Sequence, residues 1–237
     1  MDGTKLSGLA LQDKADEIRK KIMDFHRETH RSHMCSSLSC VEILTALYYG
    51  IKRKEDFILL SKGHASSALY VILNDLGIVP KEVMNDLAAH PDFNPKYQIW
   101  ATTGSLGHGL SVGAGIAYSL PNVNVYVVLG DGECDEGQVW EALRLSSELN
   151  LKNLTAVVDC NGFQGFKNTN YSLLAKKFSS FGWKTAFSDG HDCNALVNSI
   201  NTEKDCPLVV FAKTTKGKGV SEVEGTMECH YFSFPKT

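Results

Sequence analysis

An α/β fold, with a parallel sheet covered by helices on both faces, is predicted by three features of the sequence. Runs such as "NVYVVLG" and "PLVVFAKT" are apolar almost throughout, which is typical of strands buried on both faces. These runs alternate with segments whose apolar residues recur at helical spacing. No linker or internal repeat interrupts the 237 residues, so we expect a single domain over residues 1–237.

The first half of the chain is predicted to be mainly helical. An amphipathic helix is expected over about 12–28, where an apolar residue returns every three or four positions. A second is expected over 39–50, with Ser39 as its cap and Gly50 as its stop. "DFILLS" predicts a short strand, and "HASSALYVILNDLG" and "PKEVMNDLAAH" predict two further helices, the latter starting at Pro80.

The second half has a strand–helix rhythm. Residues 102–120, "TTGSLGHGLSVGAGIAYSL", begin as a glycine-rich loop and continue as a helix. The strands expected after it are "NVYVVLG", "NLTAVVD", "WKTAFS" and "PLVVFAKT", and the helices between them are "EGQVWEALRLSSELN", "LLAKKFSSFG" and "CNALVNSIN".

Composition argues against several classes of protein. A net charge of -3 gives no electrostatic reason to expect binding to nucleic acid or to an anionic membrane. The N-terminus lacks the pattern of a signal peptide, and no apolar run is long enough to span a bilayer. The seven cysteines are scattered without a CxxC pair, which argues against a zinc cage or a disulfide framework. Mostly reduced cysteines and a cytoplasmic location are therefore expected.

An acidic loop, "GDGECDEG", directly follows one predicted strand. As a dinucleotide loop it is a poor match, because its third glycine is one position late and Asp131 would face a phosphate. A solvated turn that complements the next helix dipole is the better interpretation for Glu133, Asp135 and Glu136. Gly130 and Gly132 would let the backbone approach a ligand closely.

Asp131 is better explained as a metal ligand. Asn161 follows the next predicted strand, and neighbouring parallel strands end side by side, about 5 Å apart. A carboxylate and an amide oxygen, joined by a backbone carbonyl and two phosphate oxygens, form an all-oxygen set that suits Mg²⁺.

Motifs over nearly the whole chain resemble those of the transketolase family. The spacing from GDG to Asn161 is similar to the thiamine diphosphate signature, and further similar stretches occur in family order. They are "SHMCSSLS", "LLSKGHASSALY", His90-Pro91, "TTGSLGHG", "FGWKTAFSDGHD" and "KTTKGKGV". The resemblance implies the thiamine diphosphate-binding (PP) domain fold. The matched motifs cover only the N-terminal part of a full transketolase. The chain therefore resembles the N-terminal subunit of a split transketolase.

The resemblance implies a function and partners. The expected reaction is transfer of a two-carbon ketol unit from a ketose to an aldose, on sugar or sugar-phosphate substrates, with thiamine diphosphate and Mg²⁺ as cofactors. The family activates its cofactor with a glutamate on a pyrimidine-binding domain. A separate C-terminal subunit is therefore expected to supply that domain in an α2β2 heterotetramer, and the chain is expected to be inactive alone.

Site residues are also implied by matching the motifs position by position. The resemblance makes His33, His90 and His230 candidate catalytic residues. Asp131, Asn161 and the Phe163 carbonyl are candidate metal ligands. Candidate cofactor contacts are His64, Gly104, Ser105, Leu106, Gly130, Gly132, Glu133, Asn161 and His230. Glu136 matches an acid at the subunit interface, and Lys216 and Lys218 are equally well explained as solvated or as close to the cofactor.

Departures from the family pattern concern the substrate side more than the cofactor side. Met34 and Cys35 stand where the family has Pro-Gly, and Cys229 stands where it usually has Trp. Ser105 replaces a proline and His108 a glutamine. The larger side chains at 34 and 35 are expected to reshape the wall beside His33.

Two other functions remain open at this point. One is a non-catalytic module that keeps the fold, against which intact Asp131, Asn161 and His64 argue. The other is a subunit of a different thiamine enzyme, such as a 2-oxo acid dehydrogenase, against which the "SKGH" and "HP" blocks argue. His26, His30 and His191 are interpreted as structural.

Overall fold

Five parallel strands form one sheet in the computed structural model, which describes residues 5–164, 168–230, 232 and 234. The strands are β1 (Phe57–Leu60), β2 (Val125–Gly130), β3 (Leu154–Cys160), β4 (Lys184–Asp189) and β5 (Leu208–Lys213). They lie in the order β1-β2-β3-β5-β4, and each neighbouring pair is parallel. The α/β prediction is confirmed.

Helices cover both faces of this sheet. In the described residues they are α1 (Gly8–Thr29), α2 (Met34–Ser39), α3 (Val41–Thr45), α4 (Ser66–Asp75), α5 (Lys81–Asp86), α6 (His108–Ser119), α7 (Gly137–Glu148), α8 (Tyr171–Ser180) and α9 (Cys193–Ile200). The core on one face combines residues of α1–α5 and α9, and that on the other combines residues of α6–α8. Alternate strand residues supply each core, because side chains of a strand point to opposite faces in turn. No helix of the described residues has the length and apolarity that a bilayer span needs.

The helix predicted over 39–50 is wrong in its details. α2 already ends at Ser39, and α3 is followed by a π-helix over Ala46–Ile51. Ser39 caps no helix. Its hydroxyl donates to the Asp159 carboxylate at 2.5 Å instead. The Ser39 side chain is therefore engaged by β3 and does not cap a helix.

One cysteine pair is bonded, although the sequence argued against a disulfide framework. Cys35 in α2 and Cys229 in the short 3₁₀ helix Glu228–His230 form a disulfide between residues 194 positions apart. The expectation of mostly reduced cysteines holds for the others, since Cys40, Cys134, Cys160, Cys193 and Cys206 are free thiols.

The strand order places several loops at one edge of the sheet. Hydrogen bonds in the sheet direction continue past the strand ends: Ser61 N–H donates to Val128 O at 2.9 Å, and Asp131 N–H to Asp159 O at 3.2 Å. The chain therefore leaves β1, β2 and β3 in register. Ligands of open parallel sheets bind outside these carboxyl ends.

Candidate active site

A cavity of about 370 Å³ lies at the carboxyl ends of β1, β2 and β3. Segments distant in sequence contribute to its wall, from the start of α2 to the loop after β5. Its lining includes the predicted residues His33, His64, His90, Gly104, Leu106, Gly130, Asp131, Gly132, Glu133, Asn161 and Phe163. Ser36, Lys62, Asp135, Glu136, Gln164 and Lys216 complete it. The fold thus gathers most of the candidate residues around one space.

Asp131 is held firmly at the end of β2. Its carboxylate accepts hydrogen bonds from the backbone N–H groups of Gly132 and Gly162, each at 2.8 Å, and from the Thr169 hydroxyl. The side chain is buried, and this burial raises its pKa despite those bonds. Lys62 and Lys216 line the same cavity, and the Asp131 charge acts to raise the pKa of each lysine.

Asn161 and Phe163 lie beside Asp131 in the loop after β3. Asn161 Oδ1 accepts from the Phe163 N–H at 3.1 Å, and its Nδ2 lies 3.4 Å from Asp159 Oδ2. A β-bridge between Phe163 and Asn168 closes this loop on itself. The ends of β2 and β3 therefore lie side by side, joined by the Gly162–Asp131 hydrogen bond, and Asp131 and Asn161 line the same cavity.

Asp131, Asn161 and Phe163 fit a magnesium ion whose remaining ligands include phosphate oxygens. The described residues contain no group of three His, Cys, Asp or Glu side chains placed to hold a metal. One carboxylate, one amide and one carbonyl leave an octahedral Mg²⁺ short of ligands, and Mg²⁺ commonly completes its shell with phosphate oxygens and water. The buried Asp131 carboxylate supplies the charge that such an ion would balance.

Glu133 is not part of a solvated turn, which corrects the interpretation from sequence. Only 2% of it is exposed. Its carboxylate accepts from Gly107 N–H at 2.9 Å, from Gly130 N–H at 3.0 Å and from the Ser61 hydroxyl. Glu133 thereby joins the loops that follow β1 and β2 to the loop before α6. Asp135 and Glu136 are exposed as expected.

A buried ion pair, one member of which lines the cavity, has no counterpart in the sequence predictions. Lys62 and Asp159 are both fully buried, and Lys62 Nζ donates to the carboxylate of Asp159. Although burial lowers the pKa of Lys62, the Asp159 carboxylate raises it above its usual value. The Thr214 hydroxyl also donates to Asp159. Lys62 belongs to the "SKGH" motif, which could have indicated that it lies at the site, but the sequence analysis assigned it no role.

Three histidines lie close together in the cavity wall. The rings of His33 and His64 lie 5.8 Å apart between centroids, and those of His33 and His90 lie 6.1 Å apart. Burial lowers the pKa of His33, and His90 and Lys216 act in the same direction. His33 is consequently neutral near pH 7, and a neutral imidazole can accept a proton.

The loop at 104–106 packs against the His90 ring. Gly104 has φ of +131°, and a side chain there would meet the His90 ring at 3.0 Å. Leu106 lines the cavity with Gly104, whereas Ser105 does not. The Ser105 side chain is exposed and lies 3.4 Å from His108 Nε2 instead.

Lys216 and Lys218 have different surroundings. Lys216 lines the cavity and is only 2% exposed. Burial, together with the charge of Lys62, lowers its pKa to about 8. Lys218 lies 3.4 Å from the Glu42 carboxylate and is not among the cavity residues.

The remaining residues singled out from the sequence lie away from the cavity lining or outside the described part of the structure. His191 bridges Glu42 and the Thr215 N–H, and His26 is buried against Arg31 O, as the structural interpretation expected. Met34 and Cys35 are fully buried and do not line the cavity, so they do not form its wall beside His33. The side chain of His230 lies outside the described part of the structure.

Comparisons with known proteins agree with the resemblance seen in the motifs. A family model described as "Transketolase, thiamine diphosphate binding domain" matches residues 11–234. The chain is 33% identical to one subunit of the apulose-4-phosphate transketolase of Phocaeicola vulgatus, over 93% of this chain and 88% of that protein. It is 34% identical to the 6-deoxy-6-sulfo-D-fructose transketolase subunit SqwG of a Clostridium species, over 93% and 90%.

Solved structures give the same fold. The transketolase of Campylobacter jejuni superposes with a TM-score of 0.85 at 23% identity, over 95% of this chain and 40% of that one. The transketolase of Leishmania mexicana gives 0.85 at 22%, over 96% and 39%. This chain thus spans about 40% of the length of those solved chains. By the match of the family model and the identity to its relatives, the chain belongs to the transketolase thiamine diphosphate-binding domain family.

Proposed function

We propose that this chain is the N-terminal subunit of a split transketolase that depends on thiamine diphosphate and Mg²⁺. It moves a two-carbon ketol unit from a ketose to an aldose, on sugar or sugar-phosphate substrates. The observation that carries the proposal is one cavity that combines the acid and amide of Asp131 and Asn161 with His33, His64 and His90. Two relatives of similar length are named as transketolase subunits.

The metal and the diphosphate have separate binding groups in this proposal. Asp131, Asn161 and the Phe163 carbonyl hold Mg²⁺. His64, Lys216 and the backbone around Gly132 contact the diphosphate, which suits the cationic and N–H character of those groups. Bound thiamine diphosphate supplies a nucleophilic carbon and an electron sink for breaking the carbon–carbon bond.

The histidines handle protons in this proposal. A ketose must lose a hydroxyl proton when its carbon–carbon bond breaks, and an aldose must gain one when the new bond forms. His33 and His90 lie at the cavity wall, and an imidazole exchanges protons near neutral pH. The lowered pKa of His33 keeps it ready to accept a proton. His230 is a third candidate by its motif.

A separate partner supplies the missing half of the site in this proposal. The family glutamate that activates the cofactor belongs to a pyrimidine-binding domain, and two relatives are named as one subunit of an enzyme. Glu136 is exposed at the edge of the cavity, where an interface acid would lie. We expect an α2β2 heterotetramer in the cytoplasm, with residues 1–237 acting as a single diphosphate-binding domain.

Reconstitution tests the proposal. The chain is purified alone and with the pyrimidine-binding subunit, for which the neighbouring reading frame is the first choice. Both samples receive thiamine diphosphate and Mg²⁺ with a panel of ketoses and aldoses. The proposal expects ketol transfer by the mixture only. Transfer by the chain alone contradicts the need for a partner.

Two further results would replace the proposed activity. Decarboxylation of a 2-oxo acid by the mixture, without ketol transfer, would identify a different thiamine enzyme. Calorimetry that detects no Mg²⁺-dependent thiamine diphosphate binding in the complex would identify a non-catalytic module. The variant His33→Gln serves as an internal check, because it should lower ketol transfer while leaving the cofactor bound.

A further inference from the structure

The disulfide between Cys35 and Cys229 has no part in the proposed reaction. Both residues are fully buried, and their Cα atoms lie 5.8 Å apart, within the range of protein disulfides. The family pattern has glycine and tryptophan at these two positions, so the proposed transketolase chemistry does not call for cysteines there. The pair therefore needs an explanation of its own.

The pair joins α2, which contributes Ser36 to the cavity lining, to a segment distant in sequence. Cys35 lies in α2, two residues after His33, and Cys229 lies in the 3₁₀ helix over 228–230. Between them is Gly217, whose N–H donates to the Cys35 carbonyl at 3.1 Å. Gly217 directly follows Lys216, which lines the cavity. The bond thus fastens the segment 215–229 to the helix that begins beside His33.

Packing around the two sulfur atoms is specific. A side chain at Gly217 would lie 2.2 Å from Cys229 Sγ and 3.0 Å from Cys35 Sγ, and φ at Gly217 is +73°. Glycine is therefore required for the segment to pass this close to the sulfur atoms. The segment 215–229 and α2 therefore contact each other at the cysteine pair.

The other described cysteines form no disulfide. Cys40, Cys134, Cys160 and Cys193 are buried thiols, and burial raises the pKa of each. Cys206 is partly exposed and has no disulfide partner. An intramolecular disulfide among the described residues is accordingly specific to Cys35 and Cys229.

We propose that Cys35 and Cys229 are a reversible oxidation site, at which a small-molecule disulfide such as oxidised glutathione locks the segment 215–229 onto α2. One protein thiolate attacks the small disulfide to give a mixed disulfide and one free thiol. The second protein thiolate then displaces the remaining small thiol and closes the Cys35–Cys229 bond. Two protein thiols are oxidised, one small disulfide is reduced to two thiols, and both protons go to the leaving thiolates.

The thiol state controls how freely the segment opens. When the pair is reduced, local detachment of 215–229 breaks noncovalent contacts alone: the hydrogen bonds of Gly217 to Cys35, of Arg19 to Lys218 and of Thr215 to His191, and the packing of two valines in the core. The same detachment gives the reagent access to the buried sulfur atoms. When the pair is oxidised, a covalent bond opposes that opening. Lys216 and the start of α2 are then held together at the cavity wall.

Hydrogen exchange on the full chain tests the proposal. The protein is equilibrated with reduced or oxidised glutathione, quenched with an alkylating reagent and digested. In the reduced state, peptides covering 34–39 and 215–229 should exchange at least about tenfold faster, because opening is no longer restrained. After unfolding, alkylation should label the seven thiols of the reduced chain and five in the oxidised chain.

Variants separate the pair from the other thiols. Cys35→Ser and Cys229→Ser should both lose the dependence on glutathione, whereas Cys206→Ser should keep it. Comparing the reduced and oxidised wild type needs no variant, so a folding defect in a serine variant does not weaken the test. Equal exchange in the two states, or a pair that stays alkylatable after oxidation, overturns the proposal. The readouts do not require ketol transfer, so this result is independent of the proposed activity.

Discussion

The backbone N–H of Gly162 donates to the Asp131 carboxylate at 2.8 Å, and this bond joins the ends of β2 and β3. The same carboxylate also accepts from Gly132 N–H and from the Thr169 hydroxyl. Its position is consequently fixed before any ligand arrives. Groups that orient a metal ligand in this way typically change metal affinity or activity by about 10- to 100-fold when removed.

Replacing Asp131 tests whether its charge binds the cofactor. Asp131→Asn keeps the shape of the side chain and removes the negative charge. We expect Mg²⁺-dependent affinity for thiamine diphosphate to fall by about 100-fold, because the one charged ligand of the proposed metal site is lost. Isothermal titration calorimetry of the reconstituted complex measures this effect.

A neighbouring acid provides the matched control for Asp131. Asp135→Asn removes a charge from the same loop, at an exposed position of the cavity lining that is not a candidate metal ligand, and we expect a change of less than about threefold, because the proposed metal site keeps its ligands. Unchanged affinity in Asp131→Asn, with Mg²⁺ still required, would exclude Asp131 as a ligand.

Glu133 should stabilise the fold by joining three loops. Glu133→Gln leaves at least one of the donors Gly107 N–H, Gly130 N–H and Ser61 Oγ–H without an acceptor. A buried donor that loses its partner costs about 1–3 kcal/mol, so the free energy of unfolding should fall by that amount. Urea denaturation followed by circular dichroism measures it.

The control for Glu133 is an exposed acid on α7. Glu141→Gln changes the same functional group at the surface, where substitutions usually alter stability by less than about 0.5 kcal/mol. Equal stability of Glu133→Gln and Glu141→Gln would show that the three loops do not depend on the Glu133 carboxylate.

Affinity for the cofactor should depend on pH through Lys216. Burial lowers its pKa to about 8, so Lys216 loses its proton as the pH rises through about 8. Bound diphosphate favours the charged form, and affinity is therefore full below this pH and falls above it. Titrations from pH 7 to 9.5 should show this decline in the wild type and not in Lys216→Met.

Lys213→Met is the matched control for Lys216. Lys213 ends β5 and is exposed, so its removal should leave the pH profile of cofactor affinity unchanged. A wild-type decline that persists in Lys216→Met would assign the pH dependence to another group.

Much of the fold follows from local sequence, and the failures have a common physical cause. The strands β2, β3 and β5 follow from sequence because parallel strands buried on both faces must be apolar along almost their whole length. Glu133 was misinterpreted because Ser61 and Gly107, which donate to its carboxylate in the interior, are 72 and 26 positions away. Local rules assign such an acid to solvent.

The site shows the same division between local and long-range information. Asp131 and Asn161 could be paired from sequence, because each follows a predicted strand and adjacent strands end together. The Lys62–Asp159 pair links residues 97 positions apart, and the disulfide spans 194. Neither sequence separation corresponds to a motif spacing or to a helix or strand periodicity. These partners come together only in the folded chain.

Stability should fall in mild acid because of His26. This residue is 2% exposed, and its Nδ1 donates to the carbonyl of Arg31 at 3.0 Å. Burial lowers its pKa from 6.5 to about 4. The unfolded chain thus binds a proton on His26 between about pH 6.5 and pH 4 while the folded chain does not, so acid favours unfolding in that range.

The variant His26→Gln isolates this contribution. Between pH 7 and pH 4 the wild type should lose about 3 kcal/mol more of its unfolding free energy than the variant does, since each pKa unit corresponds to about 1.4 kcal/mol. Urea unfolding at pH 7, 6, 5 and 4 gives both curves. His108→Gln, at an exposed histidine, should follow the wild type. If His26→Gln follows it as well, the acid sensitivity of the fold arises from other groups, such as the buried carboxylates of Glu42 and Asp159, whose pKa values are lowered in the fold.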